Sequence, residues 1–517
     1  MSKDLQDYRG QLLARIKSQM LAADFGNAGA SDLVMQSALL KAYSFVGNLD
    51  ALDIDYLLDM TAADLDNHLQ DAANSARFGQ LLMSTRAVKA LAASAPIMAA
   101  IAGSAAAMAL LAANGPATAA IADNAQAIGQ LALSATAMKA LAGSAIAMSA
   151  VAASSTAMAI VSASTIAMTA LAASTPAMNA LSASASAMFS IASSATAMAV
   201  VAASATAMAT VAGSSVAMTV LASVAAAIAA LSAFPAAMTA ITSSTTAMGI
   251  LVSSPIAMPI LAVSTTAMAA LTASTVAMTA LASASAGLAI VAATPTAIGA
   301  ITASAAAMNV LVASSIAMAA LAAVSVAVTA MTASATAMTA IAASTTAMNA
   351  LIASPAALSI LSASTTAMAA VSASTVAMAA VAASSPAMVA LAASATAMNA
   401  LNASDIAMNA LYASPLTTKI SYNSTQIWSG VNTLRSGVTL FVRLTTKAGV
   451  AGWGEGNSVN EWMLFDGAQI NFAERNANPY NHTAMASSPR LPMRRCASTL
   501  QIRVYQACEI AYIALPA

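Results

Sequence analysis

The chain has 517 residues, 60 % of them hydrophobic, yet only 4 % are aromatic and 7 % charged, and its 18 basic and 18 acidic side chains balance to zero. Most of the hydrophobic fraction is alanine, so the mean hydropathy of +0.79 is no membrane signal. A spanning helix needs about 20 mostly apolar residues, and nearly every ten residues here bring a Ser or Thr. The start MSKDLQDYRGQLLARIK lacks the apolar core of a signal peptide, which predicts no Sec export and no membrane insertion.

Residues 1–80 carry 6 basic and 11 acidic side chains. Leu5, Tyr8, Leu12, Leu13, Ile16 and Met20 recur at helical spacing. Ser31 and Asp32 suit the cap of a second helix with Leu33, Leu39, Leu40 and Tyr43, and a third runs from Leu52 to Met60. Thr61 caps a fourth, whose first turn is acidic, as the helix dipole favours. Asp50, Asp53, Asp55 and Asp59 lack the Gly and terminal Glu of a calcium loop, so they read as a solvated helical face. The segment is expected to be a helical docking or capping domain.

Residues 81–410 are 33 consecutive ten-residue units without insertion or deletion; typical copies read LAASATAMNA and VSASTVAMAA. Position 1 is Leu, Ile, Val or Met throughout. Position 7 is Ala in 31 units and position 8 is Met in 25, while position 4 is usually Ser, Thr or Asn. Eight of the nine prolines sit at position 5 or 6, just after that Ser; Pro259 is the exception. Ser followed by Pro marks a helix start, with Ser as N-cap and Pro in the first turn, where its missing N–H is harmless. Positions 7, 8 and 11 then share one face. The pattern predicts a mainly α solenoid of short helices, each contacting neighbours one or two units away. With two decads to a turn the array would be about 150 Å long, for layers about 9 Å apart.

Two alternatives stay open. A continuous helical rod of about 500 Å, at about 1.5 Å per residue, would hold prolines in its interior at about 3 kcal/mol each. A β-solenoid would suit Thr and Ser but not Ala and Met. In the leading reading Met138, Leu141, Met148, Met198, Met248, Leu251, Met348 and Leu351 are core filler, and the Met stripe is no metal site, since Ile, Leu or Val replaces Met freely. The exterior carries no charge between Lys139 and Asp405. The stretch Asn114–Gln130 breaks the pattern and is a candidate bend, as is the pair Val224 and Phe234, where the capping residue is lost; Val324 loses it too.

Composition shifts after Tyr412: all three Trp and 11 of the 19 aromatics follow Leu411. Alternating runs at Thr417–Tyr422, Val438–Thr446, Ala468–Phe472, Leu500–Tyr505 and Glu509–Ile513 predict a β domain over 411–517, sandwich-like. Cys496 and Cys508 lack metal-site spacing and read as semi-buried thiols. Glu455 and Glu461 are the only pair to weigh for glycoside cleavage, which depends on their separation in space. No enzyme activity, cofactor, metal site or nucleic-acid partner is expected. Trp453, Trp462, Arg475, Tyr480, His482 and Arg490 are candidate receptor-binding residues, by aromatic stacking and positive charge.

The run of SxTAMxALAA decads between a small N-terminal module and a β tip resembles decapeptide-repeat tail-fibre proteins of tailed bacteriophages. The resemblance covers 81–410 and carries no catalytic residue. It implies a structural protein of the virion tail, assembled in the host cytoplasm. Its N-terminal end would dock toward the baseplate or other tail proteins, and its C-terminal domain would bind a host-surface glycan or protein. The alternative it leaves is a connector whose C-terminal domain docks another fibre or baseplate protein. A homotrimer is common among such fibres, but a solenoid folded within one chain does not need one.

Overall fold

A computed structural model describes Leu57 and residues 60–422, 432–446, 460–465, 468–474, 493–503 and 508–516. The first two helices expected in residues 1–80, and most of the third, lie outside these residues. The described chain is mainly helical: 35 short helices run from α1 (Ala62–Leu69) to α35 (Asp405–Ala413), one per decad from α3 (Thr85–Ala92) onward. They are followed by strands in two small antiparallel sheets. The short-helix solenoid is therefore the fold of the array, and the rod and β-solenoid are excluded. The chain divides into two compact units, residues 1–261 and 262–517.

Within residues 1–261 almost every decad forms a helix of eight or nine residues, Thr245–Leu251 and Ala257–Val263 having seven, and an extended residue at position 4 marks the corner to the next. Ser204 is typical. At φ −95°, ψ 115° it ends Ala195–Ala203 (α14), and its hydroxyl accepts from the amide of Ala207 to start Ala205–Gly213 (α15). Pro96, Pro116, Pro176 and Pro235 fall in the first turn of their helices. Consecutive helices turn sharply, by 105° between Ala135–Gly143 (α8) and Ala145–Ala153 (α9) and by 97° between α15 and Ser215–Ser223 (α16). Among the described residues no single helix is long and apolar enough to cross a membrane.

The turn closes after three decads. Gly115–Ala122 (α6) packs on α9, and α15 packs on Pro235–Ser243 (α18). The premise of two decads per turn is replaced by layers of three: each helix touches the next one, as expected, but packs on the helix three decads away rather than two. Hydrogen bonds register the layers: the position-4 hydroxyl donates to the position-2 carbonyl 32 residues earlier, as from Ser154 to Ala122 at 2.9 Å and from Ser204 to Ala172 at 2.7 Å. The acceptor is one of the last carbonyls of its helix, which lack intrahelical partners. One hydroxyl thus serves the start of one helix and the end of another.

Positions 1, 2, 7 and 8 are buried in almost every decad. The eight named core residues, from Met138 to Leu351, are all buried. Position 2 joins the expected face of 7, 8 and 11 and is mostly Ala, with some hydroxyls. The buried Thr272 satisfies its hydroxyl on the Met268 carbonyl of its own helix at 2.9 Å.

Neither candidate bend bends. The turn from Ala105–Ala112 (α5) into α6 is 102°, Asn114 and Asn124 cap as Ser does, and the buried Thr118 donates to the carbonyls of Leu111 and Asn114. Val224 and Phe234 keep the linker conformation, at φ −111°, ψ 105° and φ −106°, ψ 113°, without a side-chain cap. Any residue adopts that extended conformation, so losing the cap leaves the geometry intact.

In residues 262–517 the same rules hold. Ser304 reaches Thr272, Ser334 reaches Thr302 and Ser394 reaches Ser362, and Thr375–Ala382 (α32) packs on α35. The last rung runs from Ser414 to Ala382. Eight strands follow: β1 (Thr417–Tyr422), β2 (Asn432–Ser436), β3 (Thr439–Thr446), β4 (Asn460–Phe465), β5 (Ala468–Glu474), β6 (Arg494–Cys496), β7 (Thr499–Arg503) and β8 (Cys508–Ala514). They form two antiparallel sheets, ordered β1-β8-β3-β6 and β2-β7-β4-β5. Phe441, Leu444, Cys496, Ile510 and Tyr512 of the first sheet share one buried cluster with Leu500 and Ile502 of the second, as in a sandwich.

Candidate functional site

The described chemistry gathers where the array meets the β domain, within residues 262–517. The position-2 carbonyls of the last three decads have no further decad to bond them. Two of these decads depart from the repeat at position 2, with Asn402 and Tyr412 in place of a small or aliphatic residue. The Asn402 side chain takes both backbone groups of Met493, accepting from its amide at 2.6 Å and donating to its carbonyl at 3.4 Å. Met493, just before β6, is itself buried.

Tyr412 projects from the last helix onto the first sheet. Its hydroxyl donates to the Glu509 carboxylate of β8. The hydrogen bond to Glu509, reinforced by desolvation and the carboxylate charge, raises the phenol above its usual 10.0 against the pull of Arg443. The Lys419 ammonium of β1 lies 3.8 Å from the ring centroid and the Arg443 guanidinium of β3 lies 5.2 Å away, both within cation–π range. Thr417 ties its hydroxyl to the Leu411 carbonyl at 2.5 Å. Helix end and first sheet are thus joined by one neutral hydrogen bond, one charge-assisted hydrogen bond and two cation–π contacts. The sequence signal was present, since Tyr412 and Asn402 break a position otherwise held by Ala, Ser, Thr or an aliphatic residue.

Of the candidate receptor-binding residues, Trp453, Arg475, Tyr480, His482 and Arg490 lie outside the described residues. Trp462 is in β4, paired with Asn471 of β5 and Arg503 of β7. Glu461 is also in β4, while Glu455 lies outside the described residues. The segment 475–492, which holds four of them, connects β5, an edge of one sheet, to β6, an edge of the other. On β6 the exposed Arg494 and Arg495 add positive charge. Among the described residues no group of three His, Cys, Asp or Glu side chains converges to hold a metal ion. No protein-family model matches the chain, and a search of curated proteins found no relative.

Proposed function

We propose that the chain is a structural fibre protein of a tailed bacteriophage, with the decad array as spacer and the C-terminal β domain as the part that binds a host-surface glycan or protein. In this reading the N-terminal end docks on baseplate or other tail proteins. The observation that carries it is the junction just described. Asn402 and Tyr412, the residues that break the repeat, bind Met493 and Glu509 of the β domain, so a tip held this way moves with the spacer's last turn. A charge-free exterior from Lys139 to Asp405 suits a spacer that makes few specific contacts along its sides.

The test is binding of the labelled full chain to a panel of bacterial cells. The expected result is saturable binding to some strains, competed by their purified surface polysaccharide or removed by protease treatment of the cells. The Arg475→Ala/Arg490→Ala double variant is expected to weaken it about fivefold or more, as loss of an interface anchor does. Binding to no cell, together with tight binding to a purified virion protein, would replace this reading with that of a connector.

A further inference from the structure

The start of the array shows a departure from the ladder. By the ladder's rule Ser104 would donate to the carbonyl of residue 72. Instead its hydroxyl donates to the Asp66 carboxylate at 2.5 Å, and the amide of Ala106 donates to the same oxygen at 3.0 Å. Asp66 belongs to α1, which packs on Ala95–Gly103 (α4) and α5. A side-chain carboxylate thus fills a place that a backbone carbonyl fills in the layers that follow, and it adds a bond to the N-terminal end of α5, where negative charge is favoured.

A second departure lies beside it. A Cβ on Gly103 would stand 2.6 Å from the Ala62 Cβ, a clash that neither short side chain can relieve. Gly143 and Gly213, at the same position of their decads, would meet nothing within 4 Å. Ser104 and Ala100 are buried here, whereas their counterparts in later decads are mostly half-buried. Gly103 and Asp66 therefore form a matched pair of landing features for α1 on this one layer.

We propose that α1 is a charge-dependent latch on the start of the array, keyed to its first layers by Gly103 and held by the ionised Asp66 carboxylate. This device is independent of the role proposed above. Helices α4 and α5 carry no ionisable side chain. The other ionisable groups about Asp66 are Asp64 and His68 of its own helix, and Arg77 of Ala72–Met83 (α2) with that helix's cap Asp71. Asp64 is committed to its own helix through Thr61. Desolvation alone would raise the Asp66 pKa, but the Ser104 hydroxyl and the amides of Ala106 and Ala105 outweigh it and hold the carboxyl below its usual 3.8. A depressed carboxyl stabilises the closed form above its unfolded pKa, and that contribution is lost as pH falls through the folded value. The latch is thus closed at neutral pH and loosens in acid.

The test is hydrogen exchange on the full chain, expressed as protection factors so that intrinsic pH effects cancel. Protection of residues 62–69 is expected to fall severalfold between about pH 7 and pH 3, while residues 135–251 hold theirs. Asp66→Asn should show reduced protection with most of the pH response gone, the remainder coming from the Thr61–Asp64 capping box, and Asp64→Asn should keep the greater part of the pH response. Gly103→Ala should lower protection of α1 at neutral pH without touching the later layers. Unchanged protection of α1 down to pH 3 in the natural chain would overturn the proposal, as would a full pH response surviving in Asp66→Asn.

Discussion

The position-4 serine holds the solenoid together one hydroxyl at a time. Its oxygen accepts from the amide three residues on, its proton goes to a carbonyl of the layer before, and its backbone makes the corner. Ser204→Ala removes the bond to the Ala207 amide at 3.2 Å and the one to Ala172 at 2.7 Å. The expected loss is about 1–2 kcal/mol, a cap plus a net hydrogen bond. Val224→Ser is the converse, because its backbone already has the linker conformation and the Ala192 carbonyl lies 32 residues back. It is expected to gain about 0.5–1 kcal/mol. Amide exchange at Ala207 and Ala227, beside denaturant midpoints, reads both. The capping role was legible in the sequence because Ser and Pro keep a fixed phase. The rung was not, because its acceptor is a backbone carbonyl that any residue at position 2 supplies. Burial of position 2 was hidden for a related reason: Ala and Ser carry little hydrophobic signal, and a buried hydroxyl such as that of Thr272 is satisfied inside its own helix.

At the scale of elements, helices of eight or nine residues are too short to persist alone, since isolated helices below about 12–15 residues are marginal. Each is held by the helix three decads away. Pro259 shows how little tolerance there is. A helix begun at Pro255 would need the amide of residue 259 to bond the Pro255 carbonyl, and proline has none to offer. The helix (α20) accordingly starts late and spans only Ala257–Val263, although Ser254 still caps Ala257 at 3.0 Å. Pro259→Ala is expected to start the helix at residue 255 and to stabilise it by about 1 kcal/mol, seen as new protection of the amide at position 259. An unprotected amide there would assign the late start to another cause. Among the strands, β1 was read to its ends and β3, β5, β7 and β8 to within two residues, because β-branched alternation marks them. β2, β4 and β6 were missed: Asn-Thr-Leu-Arg-Ser is largely polar, Asn460–Phe465 does not alternate, and Arg-Arg-Cys is too short to show a period.

At the scale of the whole molecule, one nearest-layer rule orders the decads inside each of the two compact units, taken separately. Stability of such an array is a sum of repeat and interface terms. The rule's period, three decads, was the part of the fold least visible in the sequence, because all decads carry the same core residues and nothing marks every third one. The C-terminal end carried a signal, since Asn402 and Tyr412 depart from the small or aliphatic residues of position 2, whereas Gly103 recurs at its own decad position in Gly143 and Gly213 and nothing in the sequence marks Asp66 as its partner. The receptor-binding candidates were chosen by residue type alone, and only Trp462 falls on a described strand. The three-decad layer is best tested by spin labels within residues 1–261, at the exposed positions Ala195, Ser215 and Ala225, taken in pairs in a Cys496→Ala/Cys508→Ala background. Labels at 195 and 225, 30 residues apart, are expected to be one helix layer apart, about 10 Å, and closer than the pair at 195 and 215. A separation near 45 Å, which a continuous helix gives at about 1.5 Å per residue, or a closer approach of 195 to 215, would contradict it.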